Sequence, residues 1–596
     1  MASLALAMAL LLATHARAAT YYVAPTGSDS NAGTEAAPFA SMAKGQAVAV
    51  AGDTVYFKGG TYAYDKGTTT CSSGTATVSG VVLSKSGSAG NLIKYWAAPG
   101  EKPVFDFNGI LDSCRIKGIL VSGSFIHLKG LELKGVRQNN DLNHESWGVW
   151  ISGSNNVFEQ LDIHNIMGAG LFIQQGGKNL VLNCDSHDNF DEHTSNGAGE
   201  SADGFGCHIR AGDAGNVFRG CRAWWNADDG YDFINAFDAC TVESSWAWYN
   251  GYRPGTMTAI GNGNGFKGGG YGADPAEFPA NPARHTVRNC LAFSNRAAGF
   301  YANHHPNSCY FYNNTGYGNN PNFNMLGMSS SGADTTVGVY RNNISFTGSL
   351  YSNRNGADDT FNSWTVSGIT LSTADFQSVG TTGMDAPRQA DGSLPVLPNF
   401  HLATGSDLIN KGSDVGLPFA GSAPDLGCFE TGLAAGGAAN GGAGSGGTGG
   451  GGTGGGAGNK GGAGTGSGAA GTGTGGAPVV GTSGATSAGG NLPSAGGGGA
   501  NTGAAGASGN ATGGGGPVPS TAGMSSSTGG SAASAGTPSA GADSGEPSGC
   551  SCSAVPRIGG SSSALGSLLL LLVATFARRT RTDHVPAKRD SRGTRR

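Results

Sequence analysis

Charge is the first thing this sequence is short of. Only 13% of its 596 residues are Asp, Glu, Lys or Arg, and the formal net charge is -5, which gives no reason to expect a nucleic acid as partner. Paired cysteine motifs are missing too: no C-x-x-C stands with matching histidines, so a zinc site is not expected. Long apolar runs are scarce, and the C-terminal "ALGSLLLLLVATFA" (564 to 577) is marginal as a membrane span. From about Gly432 to Gly549 aromatic and charged residues almost vanish, leaving Gly, Ala, Ser and Thr. Such a stretch cannot bury enough apolar surface to offset the entropy of ordering, so 433–549 is expected to be a disordered linker.

What remains at the two ends reads as addresses. "LALAMALLLATHARA" closes on Ala16-Arg17-Ala18, the A-x-A pattern of a signal peptidase site, so 1–18 is expected to be a signal peptide. At the other end Cys550 and Cys552 precede the apolar run, and Arg578, Arg579 and Arg581 follow it. The Arg cluster would hold an anchor with its basic side in the cytoplasm. This tripartite segment, 550–582, resembles the Cys-containing C-terminal sorting signals of myxobacterial exported proteins, and a basic tail, 583–596, completes the chain. The resemblance implies sorting machinery or membrane association as a partner, and a secreted or cell-surface location. Of 11 cysteines nine lie in the body, so at least one thiol there is left over unless it pairs between chains.

A repeat decides the fold. The segments "VLNCDSHDN" (181 to 189), "FRGCRAWWN" (218 to 226), "VESSWAWYN" (242 to 250), "VRNCLAFSN" (287 to 295) and "FYNNTGYGN" (311 to 319) share an apolar first position, a Cys or small residue at the fourth and Asn at the ninth. Without insertions the repeat is 24 residues, as from Cys221 to Ser245. That is too short for a βαβ unit and suits one turn of a parallel β-helix, with coils stacked about 4.8 Å apart. The expected fold is an all-β parallel solenoid over 20–432 with an N-terminal cap. The column Asn189, Asn226, Asn250, Asn295, Asn319 fits a repeated turn, because Asn tolerates the left-handed conformation and its amide can bond to the next coil. The column His187, Trp224, Trp248, Phe293, Tyr317 is read as packing rather than a sugar platform.

Each repeat continues into a strand opening on Gly and an aromatic: "DGFGC" (203 to 207), "DGYDF" (229 to 233), "NGFKG" (264 to 268) and "AGFYA" (298 to 302). Their alignment stacks Asp203, Asp229 and Asn264, and sets Asp232 one coil from Lys267. With Asp228 alongside, four carboxylates gather at one corner, a strongly repulsive arrangement that a hard, oxygen-loving cation relieves. A calcium site built from Asp203, Asp228, Asp229 and Asp232 is expected, calcium being favoured over magnesium because magnesium keeps its waters. Insertions after Asn189 and Asn250 bracket this corner and are expected to wall a groove. Tyr252 and Arg253 on them, with Asn264, are candidate substrate contacts. Asp191 and Glu192 share the loops, and the competing reading for these four loop residues is solvated side chains.

A cation beside a lysine suits proton abstraction next to a uronate carboxylate, followed by elimination, with Lys267 as base. In order and spacing, "ADGFG", "NADDGYDF" and "GNGFKGGG" look like the calcium-and-lysine site of family 9 polysaccharide lyases, the right-handed parallel β-helix pectate lyases. The opening "TYYVAPTGSDSNAGTEAAPFASMAKG" resembles their cap, and "APDLGCFETG" (423 to 432) their closing strand. The resemblance implies right-handed winding and calcium-dependent β-elimination of α-1,4-polygalacturonate by a monomer, with Lys267 as the Brønsted base and the four aspartates as calcium ligands. Three readings stay open beside it. They are a lyase on another uronate polymer such as alginate or a glycosaminoglycan, a hydrolase working with two or three carboxylates, and a non-enzymatic surface adhesin.

Overall fold

The computed structural model describes residues 18–433 apart from 72–75, 139–143, 195–196, 273, 308, 329–333, 337 and 351–357. The expected leader but for its last residue, the linker but for its first, the sorting segment and the basic tail lie outside the described residues. Among those described, the chain winds through three parallel sheets of twelve, ten and nine strands. One coil shows the order of visits: Asn216–Arg219 in the first sheet, Arg222–Trp224 in the second and Tyr231–Asp232 in the third, before Cys240–Glu243 returns to the first. Coil sits on coil in parallel register, as Arg222 with Trp246, Trp246 with Leu291 and Leu291 with Thr315.

The repeat motif works through contacts that bring side-chain amides against glycines. Asn189, Asn226, Asn250, Asn295 and Asn319 are all buried. Each Nδ2 donates to the Oδ1 of the next, over 2.8 Å, 3.0 Å, 2.8 Å and 2.9 Å. The left-handed position is not theirs, however. It belongs to the residue before: Asp188, Trp225, Tyr249, Ser294 and Gly318 have φ between 50° and 65°. A non-glycine residue there costs roughly 1–2 kcal/mol, and the ladder it delivers satisfies donors and acceptors that burial would otherwise leave bare.

The glycine opening the third-sheet strand answers the same ladder. A Cβ on Gly230 would lie 2.6 Å from Gly265 O and 2.9 Å from Asn250 Nδ2, and Gly204 and Gly265 are equally confined. Only glycine lets the chain pass so close to the amides. The aromatic that follows turns inward, and Phe205, Tyr231, Phe266, Phe300 and Phe323 form a continuous stack with ring centroids 4.7–5.1 Å apart. Its neighbours across the strand therefore point outward, and that outward face carries the acidic cluster.

The ends are closed differently. Helix Met42–Val48, capped by Ser41 accepting from Lys44 N at 3.1 Å, buries Met42 at the N-terminal end. After the last first-sheet strand, Asp358–Thr360, the chain runs to 433 without a further strand. "APDLGCFETG" is thus not a closing strand. It is irregular, held by Gly427 N to Asn342 O at 2.7 Å and Cys428 N to Thr315 Oγ1 at 3.0 Å. Met384, Phe400 and Cys428 cover the second sheet's aromatic column. Within that column Trp224 and Trp248 stack at 4.9 Å, so it is packing. Arg388 and Arg222 both clamp Asp185, tying this segment down. Among the described residues one disulfide, Cys71–Cys114, forms, while Cys184, Cys207, Cys221, Cys240, Cys290, Cys309 and Cys428 are free and buried.

Candidate active site

The carboxylates of "NADDGYDF" are brought to their partners by the coil repeat. On the third sheet Gly206 pairs with Asp232 and Asp232 with Lys267, so outward side chains of successive strands form a row. Beside it Gly204 N donates to Asp229 O at 2.9 Å and Gly230 N to Asn264 O at 2.8 Å. Asp203, Asp229 and Asn264 therefore occupy one level of three coils, the order read from the repeats. Oxygens of Asp203, Asp229 and Asp232 all lie within 4.8 Å of one another, and the three residues are buried. Lys267 Nζ is 3.1 Å from Asp229 Oδ2 and 3.3 Å from Asp232 Oδ2.

Asp228 departs from the expected quartet. It is buried beside the others, yet its Oδ1 accepts from Asn262 N at 3.0 Å and it is not one of the three that converge. It stands in a bend before the strand Tyr231–Asp232 and still lines the same pocket as Asp203 and Asp232. Asn264 also differs from a substrate contact. It is 5% exposed, spends its N–H and Nδ2 on Asp229 Oδ1 (2.6 Å and 2.8 Å), and accepts from Ala298 N (3.1 Å), which makes it a support for Asp229.

The electrostatics are those of a negative cluster short of countercharge. Burial first, then Asp228, Asp232 and Asp229, push the Asp203 carboxyl well above the usual range. Burial and Asp229 do the same to Asp228, and burial also raises Asp229, against the pull of Lys267. Asp232 goes the other way. Although burial works against it, the Lys267 ammonium, then His208 and the Ile234 N–H, bring it down to about 2. Three converging buried oxygens, a fourth carboxylate alongside and no sulfur donor are a donor set that suits a hard divalent cation.

Residues 21–343 match the family model described as Pel9A-like, right handed beta helix region. The chain belongs to this family. It is similar to pectate lyase L of Dickeya chrysanthemi, with 36% identity over 69% of this chain and 90% of the relative. It is also similar to pectate lyase PEL9 of Emericella nidulans, with 33% identity over 51% and 74%. Among solved structures, a rhamnogalacturonan lyase superposes with TM-score 0.61 and 36% identity, over 65% of this chain and 96% of that one. Pectate lyase Pel9A superposes with TM-score 0.58 and 34% identity, over 69% and 96%. Membership of the Pel9A-like family makes the chain an enzyme of the polysaccharide lyase kind, and its winding is the right-handed one of that family.

In this family member the two insertions meet beside the cluster. Asn262 Nδ2 donates to Glu200 Oε2 at 3.1 Å, and Gly261 N to Ala227 O at 3.0 Å. Glu200 and Ser201 line a pocket with Asp203, Asp228, Asp232 and His208, whereas Tyr252 and Arg253 do not reach it. The Arg253 guanidinium lies 4.5 Å over the Phe190 ring, and Tyr252 packs edge-on to Trp225. Glu192 is exposed as a loop side chain should be, but Asp191 is fully buried, and burial raises its carboxyl to about 7.

His208, Trp147 and Phe172 line the same pocket, and sequence reasoning passed over all three. His208 Nε2 lies 3.7 Å from Asp232 Oδ2. Its signal was present in "GFGCH": two residues after Gly206, it shares that residue's outward face.

Proposed function

We propose that the chain is a calcium-dependent pectate lyase that cleaves α-1,4-polygalacturonate by β-elimination, with Lys267 as the base. The observation that carries this reading is the position of Lys267 Nζ, 3.1 Å and 3.3 Å from two carboxylates of a buried, converging set of three. Asp203, Asp229 and Asp232 would hold the calcium, with Asp228 beside them. When bound, the ion supplies the countercharge that neutralises a uronate carboxylate and acidifies the hydrogen on the carbon next to it. Lys267, its two carboxylate partners then engaged elsewhere, loses the charges that favour its ammonium and becomes a neutral base. It takes the hydrogen as a proton, the C–H electrons form a ring double bond, and the glycosidic oxygen leaves from the adjacent carbon and is protonated. Asn264 keeps Asp229 in place throughout, and His208 stands against Asp232. The leader and tail motifs support action outside the cell, where calcium is plentiful.

A second reading has an observation of its own. The rhamnogalacturonan lyase neighbour supports the same chemistry on a galacturonate polymer that also contains rhamnose. The test is an ultraviolet assay for unsaturated ends on polygalacturonate and on rhamnogalacturonan, with and without chelator. Polygalacturonate should yield product, chelator should stop it, and calcium should restore it. Lys267→Ala should lose about 10²–10⁴-fold in kcat, the usual contribution of a positioned base. Product on rhamnogalacturonan alone would transfer the function to the second reading, and chelator-insensitive cleavage would remove calcium from it.

A further inference from the structure

The outward row of the third sheet does not stop at the acidic cluster. From Lys267 it runs toward the N-terminal coils through Asp232 (3.3 Å) and His208 (3.7 Å from Asp232). It continues through Phe172 (ring centroids 4.7 Å from His208) and Trp150 (5.1 Å from Phe172) to Lys117, whose Nζ stands 4.0 Å over the Trp150 ring. The strands that carry it are consecutive neighbours of one sheet, from Arg115–Val121 to Phe266–Lys267. Five coil steps of about 4.8 Å separate the ends, roughly 24 Å.

The far end of this row is chemically unlike the near end. Trp147 and Phe172 are buried, but Trp150 and Lys117 remain half-exposed. Arg115 is ion-paired with Glu145 while its guanidinium covers Trp147. Among the described residues no carboxylate pairs with Lys117, the lysine between the two tryptophans. An aromatic face beside a cation with no anion of its own is the complement of an acidic sugar, whose ring C–H face stacks and whose carboxylate pairs.

We propose that Trp150 and Lys117 form a distal subsite that binds a uronate residue of the polysaccharide several sugars away from the bond being cleaved, with the chain lying across the strands along the row. This deepens the lyase reading and rests on it. Burial, then the neighbouring Arg115, hold the Lys117 ammonium down to about 8, so an arriving carboxylate meets a cation whose charge is under-compensated.

The test compares full-length wild type with Lys117→Met, Lys117→Arg and Trp150→Ala on long polygalacturonate and on a trimer too short to span the row. On the long substrate Lys117→Met and Trp150→Ala should raise KM roughly tenfold, the scale of a lost charged contact, with kcat within twofold. Lys117→Arg should restore most of the loss, and the trimer should not distinguish the variants. Unchanged KM, or an equal rise on the trimer, overturns the subsite and leaves the lyase reading standing. A wild type inert on polygalacturonate overturns the lyase reading instead. Retention on immobilised polygalacturonate then decides the subsite: weaker retention of Lys117→Met supports it, and equal retention overturns it.

Discussion

At the scale of single residues, the same carboxyl group behaves in opposite ways according to what burial leaves next to it. Asp232 is held down to about 2 by Lys267 and His208 despite its burial, while Asp203 is pushed well up because its near neighbours are acids. Asp191 isolates the burial effect, for its carboxyl rises to about 7 chiefly by desolvation. An acid with a raised native pKa keeps its proton where the unfolded chain, at about 3.9, has lost it. The native state is therefore favoured most below about pH 4, and that advantage drains away as pH rises toward 7. Asp191→Asn should abolish this slope and leave the protein more stable than wild type at pH 8, by on the order of 4 kcal/mol. Urea unfolding at pH 5 and pH 8 checks it, and parallel pH slopes for the two proteins would refute it.

At the scale of the coil, stability is concentrated where amides stack. Asn250 accepts from the N–H and Nδ2 of Asn226 and donates to Asn295 Oδ1 and Ala223 O, all out of water. Asn250→Ala should lower stability by about 3 kcal/mol, because it strands several buried partners at once. The half-buried Asn31, whose side chain donates to Pro38 O at 2.9 Å, serves as control in the same unfolding series. The ladder was legible because Asn recurs at one position of five aligned repeats, and so was the Asp-to-Lys register, which follows from the Gly-aromatic pairs. The left-handed residue was not legible, since Asp, Trp, Tyr, Ser and Gly share no side-chain property and only the backbone unites them. Nor was the Trp150 end of the row, because the N-terminal coils lack the Asn signature. Their own mark is subtler. Gly80, Gly118, Gly148 and Gly170 each precede three apolar residues in "GVVL", "GILV", "GVWI" and "GLFI", and the middle one of the three faces out.

At the scale of the whole molecule, the candidate cation site is a cross-link between coils. Asp203 belongs to the coil before Asp229 and Asp232, and Lys267 to the coil after, so a bound ion would fasten successive coils together at their outward face, in addition to the strand ladder between them. Such a ligand binds the folded state alone, because no unfolded chain brings these oxygens within 4.8 Å. Calcium at a hundred times its Kd should then stabilise the protein by about 2.7 kcal/mol. In a thermal melt the midpoint should rise with calcium, fall back with chelator, and rise less with magnesium, which prefers its own water and few carboxylates. Asp203→Asn combined with Asp232→Asn should erase the calcium shift; in the calcium-free protein Asp203→Asn alone should raise the midpoint, because burial and acidic neighbours disfavour that carboxylate, whereas Asp232→Asn alone should lower it, because Lys267 loses a buried partner. A calcium shift of equal size in that double variant would locate the ion elsewhere, and no shift in the wild type would leave the aspartates without the partner that their convergence calls for.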